Sequence, residues 1–325
     1  MVPAEEGERV GATPPAPADF LQTAPVRFGR RRFIWGFRDN ERADWNAITV
    51  SSADAVYFSH AEGKDTMDAS VDRLKEETDS SFANELVCRF EEEIGSYRID
   101  SVIEEVVFTV LVNGEPYRDM ACSPWRVREL VVGGLFTAGL IESADEIASL
   151  DIDEAGGVAA VALAATSRSS DGSAIDRVLR PVPSTKESPL APMLTAREVS
   201  ERIEFLEGGS RLFHRTGGVH SAVMVDAAGE LVAWFEDIGR HNALDKLVGW
   251  CVLNKVDASD KVLLFSGRVP REIIARTVRA GFPIVISPGA PTNLSIRLAC
   301  DHGVTLIGFA KDGKFNVYTH EARIQ

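Results

Sequence analysis

Four short clusters in the last third of the chain hold residue types that could grip an anionic ligand. They are Glu236-Asp237-Ile238-Gly239-Arg240-His241-Asn242, Ser266-Gly267-Arg268, Ser287-Pro288-Gly289-Ala290-Pro291-Thr292 and Phe309-Ala310-Lys311-Asp312-Gly313-Lys314. Arg240 and Arg268 offer forked donors that match phosphate, and glycines let a backbone come close to a ligand. Thr292 opens a predicted helix whose free N–H groups favour anions. A further stretch, Thr216-Gly217-Gly218-Val219-His220, adds a histidine that could be a core residue, a metal ligand or a base. No second His or Cys stands at ligand spacing from it, which ranks metal last. His241 follows two acids and Arg240, a setting that suits a polar site better than a core. Taken singly, each cluster also reads as a plain turn, Asn242 as a helix cap and Asp245-Lys246 as a solvated face. Recurrence at successive strand ends argues for a shared site.

The elements that must position these clusters follow a regular rhythm. Val219–Asp226 and Leu231–Asp237 alternate around Ala228-Gly229 as a hairpin, and a helix from Asn242 to Leu253 turns Leu244, Leu247, Val248 and Cys251 inward. Strand Val262–Ser266, a helix from Pro270 closed by Gly281 and strand Pro283–Ser287 come next. A helix from Pro291 closed by Gly303, strand Val304–Phe309 and a short strand Phe315–Thr319 complete the series. Apolar runs of about five residues alternating with short helices predict an α/β fold with a mainly parallel sheet covered on both faces. Ligands of such sheets sit at the carboxyl ends of strands.

Upstream, Glu105–Val112 is β-rich and ends at Asn113-Gly114, a hairpin turn signal. Ser123-Pro124 reads as a helix start, followed by a stripe of Val127, Leu130, Val131, Leu135 and Ala138. These elements predict a smaller α+β N-terminal domain over residues 98–165. The Ser- and Pro-rich stretch 166–194 reads as an interdomain loop, and the capping box Thr195-Ala196-Arg197-Glu198 opens a C-terminal domain over 195–325. Residues 1–26, rich in Pro, Ala and Glu, read as a disordered tail. Residues 27–97 form an acidic extension of unassigned role, in which Phe82, Leu86, Val87 and Phe90 have the spacing of an amphipathic helix.

Composition bounds the partners. The 325 residues include 35 basic and 49 acidic side chains, a formal charge of -14 that repels nucleic acid and anionic membranes. From Thr216 onward, however, 12 Lys or Arg face 11 Asp or Glu, so this part can accept an anion. No apolar run approaches the roughly 18–20 residues of a membrane span. Arg30-Arg31-Arg32-Phe33-Ile34 is followed by charged residues rather than an apolar stretch, so it reads as a basic arm and not an export signal, with the cytoplasm as the expected location. Cys88, Cys122, Cys251 and Cys300 are too scattered for a disulfide framework or a CxxC motif and fit a reducing compartment.

The clusters, read in order with Ala290-Pro291-Thr292 and Thr305-Leu306-Ile307-Gly308-Phe309, resemble the signature blocks of the FdhD/NarQ family of formate dehydrogenase accessory proteins. Glu104-Glu105, Val112-Asn113-Gly114 and the run from Glu129 to Ile141 resemble the family's N-terminal domain, so the similarity extends from about Arg98 to His320. The resemblance implies a C-terminal domain of cytidine-deaminase-like, three-layer α/β fold and a homodimer. It also implies binding of the bis-molybdopterin guanine dinucleotide cofactor of molybdenum or tungsten, and hence of a GDP-like nucleotide. Phe309, Ala310, Lys311, Asp312, Gly313 and Lys314 match the family's dinucleotide-binding stretch. With them, Gly217, Gly218, His220, Asp237, Gly239, Arg240, His241, Asn242, Ser266, Gly267, Arg268 and Thr292 form the expected cofactor-binding set.

Family members are expected to take sulfur from a cysteine desulfurase and pass it to the cofactor before insertion into the formate dehydrogenase apoenzyme. They carry it on a CGxCG-like pair in the interdomain loop, whereas residues 166–194 contain no cysteine. Ser169 and Ser170 cannot hold a persulfide, and the Pro-Cys-x-x-Cys ligands of a zinc deaminase are also missing. Cys251 and Cys300 lie on apolar stripes and are expected to be buried and inert, and Cys88 lies in the extension. Cys122, just ahead of a helix, is the remaining candidate for a thiol of lowered pKa. Three functions therefore compete: sulfur transfer to the cofactor, carriage of the cofactor without sulfur chemistry, and nucleotide-dependent regulation.

Overall fold

Alternation of apolar and polar residues pairs β1 (Phe82–Glu91) with β2 (Ile94–Ile103) as an antiparallel hairpin. The helix expected from Phe82, Leu86, Val87 and Phe90 is thus replaced by a strand, which turns Val87 to the opposite face from the other three. Even-numbered apolar residues satisfy a period of two as well as helical spacing, and the facing strand supplies backbone partners that decide between them. In this computed structural model the described residues are 82–91, 94–164 and 192–325, all within one compact unit spanning Met67–Gln325. The proposed tail, the extension up to residue 81 and the loop from 165 to 191 lie outside the described residues.

β3 (Val106–Val112) and β4 (Glu115–Cys122) turn at Asn113-Gly114, where both residues have positive φ (53° and 86°), as a two-residue hairpin turn requires. α1 (Val127–Thr137), β5 (Ile147–Asp153) and β6 (Val158–Leu163) complete a four-stranded sheet of order β4-β3-β6-β5. The helix does not start at Ser123-Pro124 as expected. Arg126, in a left-handed conformation, precedes it, and the Ser123 hydroxyl is engaged with Asp237 instead of capping.

α2 (Ala196–Gly209) begins at the expected capping box, with the Thr195 hydroxyl accepting from the Glu198 N–H. After α3 (Arg211–Thr216) come β7 (His220–Val225), β8 (Leu231–Asp237), α4 (Arg240–Asn254), β9 (Val262–Phe265) and α5 (Arg271–Ala280). β10 (Ile284–Ile286), α6 (Asn293–Asp301), β11 (Thr305–Lys311) and β12 (Lys314–Val317) follow. The six strands order as β12-β11-β10-β9-β7-β8. Only the pairings β9–β10 and β10–β11 are parallel, and the other three are antiparallel, so the sheet is mixed rather than mainly parallel. Tight turns after β7 and β11 leave the following strand no route except antiparallel return.

One face of this sheet packs on α2 through Val199, Ile203 and Leu206. Residues from its other face join α4, α5 and the four-stranded sheet in a second, larger core. The larger core is sealed where α1 crosses α4, with backbones in contact at Gly133 and Gly249. A Cβ at Gly133 would stand 1.7 Å from the Asp245 carbonyl oxygen. Among the described residues no helix is long and apolar enough to cross a membrane.

Candidate functional site

The carboxyl ends of β9 and β10 meet the first turn of α4 and the start of β7 around a cleft of about 320 Å³ lined by His220, Arg240, Ser266, Gly267, Arg268, Pro288 and Gly289. Hydrogen bonds shape its floor. The Ser266 N–H donates to the Ser221 carbonyl (3.0 Å), and the Ser221 N–H donates to Ser266 Oγ (2.8 Å). Ser287 Oγ donates to the Gly267 carbonyl (2.7 Å) and accepts from the Gly289 N–H (2.9 Å). Gly289 approaches so closely that a Cβ there would lie 2.5 Å from the Gly267 oxygen and 2.8 Å from the Arg268 backbone.

The chemistry of the cleft is that of a cationic donor site. Nε of Arg240 is buried without a hydrogen-bond partner among the described residues, a donor left for a ligand. Burial, then the charges of Arg240 and Arg268, push the His220 pKa below its ordinary 6.5 against the weaker pull of Asp237. The imidazole is therefore neutral at neutral pH, and the two guanidinium groups carry the positive charge.

Of the expected set, His220, Arg240, Ser266, Gly267 and Arg268 come together in the cleft. Asp237 and Asn242 instead serve internal bonds. Asp237 Oδ1 accepts from the Gly239 N–H (2.8 Å) and Asn242 Nδ2 (2.9 Å), which fixes the turn that launches Arg240. Its Oδ2 accepts from the Ser123 N–H (3.1 Å) and hydroxyl (2.9 Å) and pairs with Lys246 Nζ at 2.7 Å. Lys246 Nζ also donates to Ser123 Oγ (2.7 Å), and both ions of the pair are fully buried.

Asp245 and Lys246 are therefore not the solvated face expected of them. Asp245 is buried between α1 and α5, where Thr137 Oγ donates to it (2.8 Å) and Arg276 pairs with it (2.9 Å). Sequence periodicity missed both residues because α4 is covered on two sides.

The remaining candidates surround the cleft without lining it. Gly217 caps α3 with φ of 65°, and Gly218 packs on Ile103. The Thr292 hydroxyl accepts from the Ser295 N–H (3.2 Å) to cap α6. Phe309 is exposed with φ of 52° at an irregularity in β11, and its N–H donates to the Gly289 carbonyl (3.3 Å), which sets it beside the cleft. Ala310 is buried, and Lys311 faces Lys314 across the Asp312-Gly313 turn, both exposed. His241 has a buried Nε2 with no partner among the described residues, and burial, then Arg276 and Arg240, lower its pKa.

The cysteines correct two expectations. Cys122 is fully buried and its pKa is pushed up to about 11, chiefly by burial and next by Asp237, the opposite of activation. Cys251 is buried as expected, and burial raises its pKa to about 12. Cys300, expected to be buried, is exposed at the end of α6, as is Cys88 on β1.

Fold and site together define an α/β protein with an arginine-flanked cleft at the carboxyl ends of its central strands. The sequence profile of the FdhD/NarQ family matches residues 103–325, and the chain belongs to this family. It is 38% identical over 239 residues to the sulfur carrier protein FdhD of Bacillus licheniformis, which covers 70% of this chain and 90% of that one. Likeness to the proteins of the same name from Staphylococcus haemolyticus (37% over 252 residues, 74% and 95% covered) and Bacillus subtilis (35% over 252 residues, 74% and 96%) is similar. A solved structure from Desulfotalea psychrophila, described as a formate dehydrogenase accessory protein, shares the fold. Its TM-score is 0.62 at 23% identity, with 75% of this chain and 99% of that one covered.

Proposed function

We propose that this protein serves the maturation of formate dehydrogenase by holding the guanine dinucleotide form of the molybdenum or tungsten cofactor as cargo. The observation that carries this reading is the convergence of Arg240, with its unpartnered Nε, and Arg268 on one cleft. A pyrophosphate is multiply anionic and suits forked cationic donors. At about 320 Å³ the cleft stands at the lower end of ligand sites, roughly 300–1,000 Å³. It therefore suits one phosphate-bearing end of the cofactor, with the rest projecting outward. Phe309 beside Gly289 offers a stacking face for a base, and Lys311 and Lys314 extend the cationic surface. On this reading the six-stranded sheet is of the cytidine-deaminase type, the protein acts in the cytoplasm, and the formate dehydrogenase apoenzyme is its partner.

Carriage of the cofactor without sulfur transfer is favoured over the sulfur-transfer reading by the state of the thiols. A persulfide is formed and passed on by an accessible thiolate. Residues 166–194 offer no cysteine, Cys122 and Cys251 are buried with raised pKa values, and the two exposed thiols, Cys88 on β1 and Cys300 at the end of α6, line no part of the cleft. The deciding experiment has two arms. Calorimetry with GDP is expected to show binding that Arg240→Ala weakens about tenfold or more, the loss of roughly one charge-assisted contact. Absence of GDP binding by the wild type sinks the cofactor reading. Incubation with a cysteine desulfurase and labelled cysteine is expected to leave the protein unlabelled, and retained label returns the sulfur-transfer reading.

A further inference from the structure

Every residue that lines the cleft belongs to the six-stranded lobe, yet the turn that carries Arg240 is held from the other lobe. Five donors converge on the Asp237 carboxylate at the end of β8. The Gly239 N–H and Asn242 Nδ2 reach Oδ1, and the Ser123 N–H, the Ser123 hydroxyl and Lys246 Nζ reach Oδ2. Ser123 stands in the bend between β4 and α1, and its Oγ accepts from Lys246 Nζ (2.7 Å) while donating to Asp237 (2.9 Å). From the same edge of β4, the Ala121 carbonyl accepts from Asn242 Nδ2 (2.8 Å). Ser123, Asp237 and Lys246 are fully buried, and the centre of the Trp125 ring lies 4.9 Å from Lys246 Nζ. The β1–β2 hairpin offers no comparable brace, since its outer apolar side, with Leu86, Phe90, Tyr97 and Ile99, is open to solvent.

We propose that Ser123 and Lys246 are positioning residues for the cleft. Acting through Asp237, the β4–α1 bend of the four-stranded lobe fixes the first turn of α4 and with it the direction in which Arg240 meets an anionic ligand. The lobe lines no part of the cleft and still sets its affinity. This rests on the reading of the cleft as a nucleotide site. Adhesion between the lobes does not call for such a cluster. A buried ion pair adds little net stability over apolar packing, and the α1–α4 seam is already closed by the backbone contact at Gly133 and Gly249 and by the Thr137–Asp245 bond. What the cluster adds is direction. A carboxylate and an ammonium withdrawn from water hold a single arrangement, because any looser one leaves a buried charge without its partners. Gly239 and Asn242, which flank Arg240, are both tied to that carboxylate, so the arrangement passes to the guanidinium between them.

Ser123→Ala is the mild probe, because it removes the hydroxyl that joins Lys246 to Asp237 and leaves their direct contact in place. Calorimetry on the full chain is expected to show GDP binding weakened about fivefold or more by this change, and more strongly by Lys246→Met, which strips the counter-charge. Thr137→Val is the control. It removes another buried bond of the same seam, so it is expected to lower the melting temperature while GDP affinity stays within about twofold of wild type. A role confined to stability would move Ser123→Ala and Thr137→Val alike. Amide hydrogen exchange, read without any nucleotide, is expected to quicken over residues 238–243 in Ser123→Ala and to remain as in wild type over α5. Wild-type affinity in Ser123→Ala overturns the proposal. So does an equal loss in Thr137→Val, or exchange that is unchanged over residues 238–243. If the wild type itself binds no GDP, the cofactor reading falls, and the exchange measurement alone decides whether the bend positions Arg240.

Discussion

Arg240 and Asp237 lie three positions apart and do opposite things. Arg240 lines the cleft and keeps a buried donor without a partner among the described residues, while every bond described for Asp237 is internal and holds the turn from which Arg240 projects. Sequence placed both in one polar cluster but could not separate them. The partner that claims Asp237 is Ser123, 114 positions away, and no local pattern reports such a contact. His220 shows the same dependence on neighbours. Its pKa is lowered in the fold, so on acidification the unfolded chain takes up that proton first. The stability associated with a neutral His220 is present above the unfolded value of about 6.5 and is lost as pH falls below it. An anion in the cleft favours the imidazolium and reverses the shift. The GDP-induced rise in melting temperature is therefore expected to grow as pH is lowered from about 8 to about 6. His220→Ala should flatten that slope, and thermal melts with and without GDP measure both.

At the scale of elements, local signals were reliable where a single turn decides the geometry. Asn113-Gly114, the Thr195–Glu198 capping box and Gly281 (φ of 86°) all occupy the positions their chemistry predicts. Expectations failed where two periods fit the same residues, as in β1, or where a long-range bond overrode a local one, as at Ser123 before α1. The α1–α4 crossing was invisible in the same way. Gly133 and Gly249 weaken their helices in isolation, yet they allow two backbones to touch, and a Cβ at Gly249 would lie 1.9 Å from the Glu129 carbonyl oxygen. Gly249→Ala is expected to cost about 1–3 kcal/mol or more through overpacking, beyond the roughly 1 kcal/mol regained in helix propensity. The midpoint of urea denaturation measures it.

Across the molecule, the larger core draws Phe108, Leu130 and Val161 of the four-stranded lobe together with Leu244, Phe265 and Val285 of the six-stranded one. Shared burial of this kind, reinforced by the Asp237–Lys246–Ser123 contact, couples the two sheets. Calorimetry is expected to show one cooperative transition for both sheets, with calorimetric and van't Hoff enthalpies in agreement. Two resolved transitions would mean that the lobes unfold separately.

The amino-acid sequence by itself determined the strand-end clusters, the turns and caps, the local balance of charge around them and the absence of a cysteine pair. All of these depend on residue type and on neighbours within a turn or two. Only the tertiary structure decided which polar residues face the cleft, which thiols are buried and which apolar face stays open. Those outcomes depend on burial and on partners distant in the chain, where Ser123 meets Asp237 and where nothing described covers the outer hairpin.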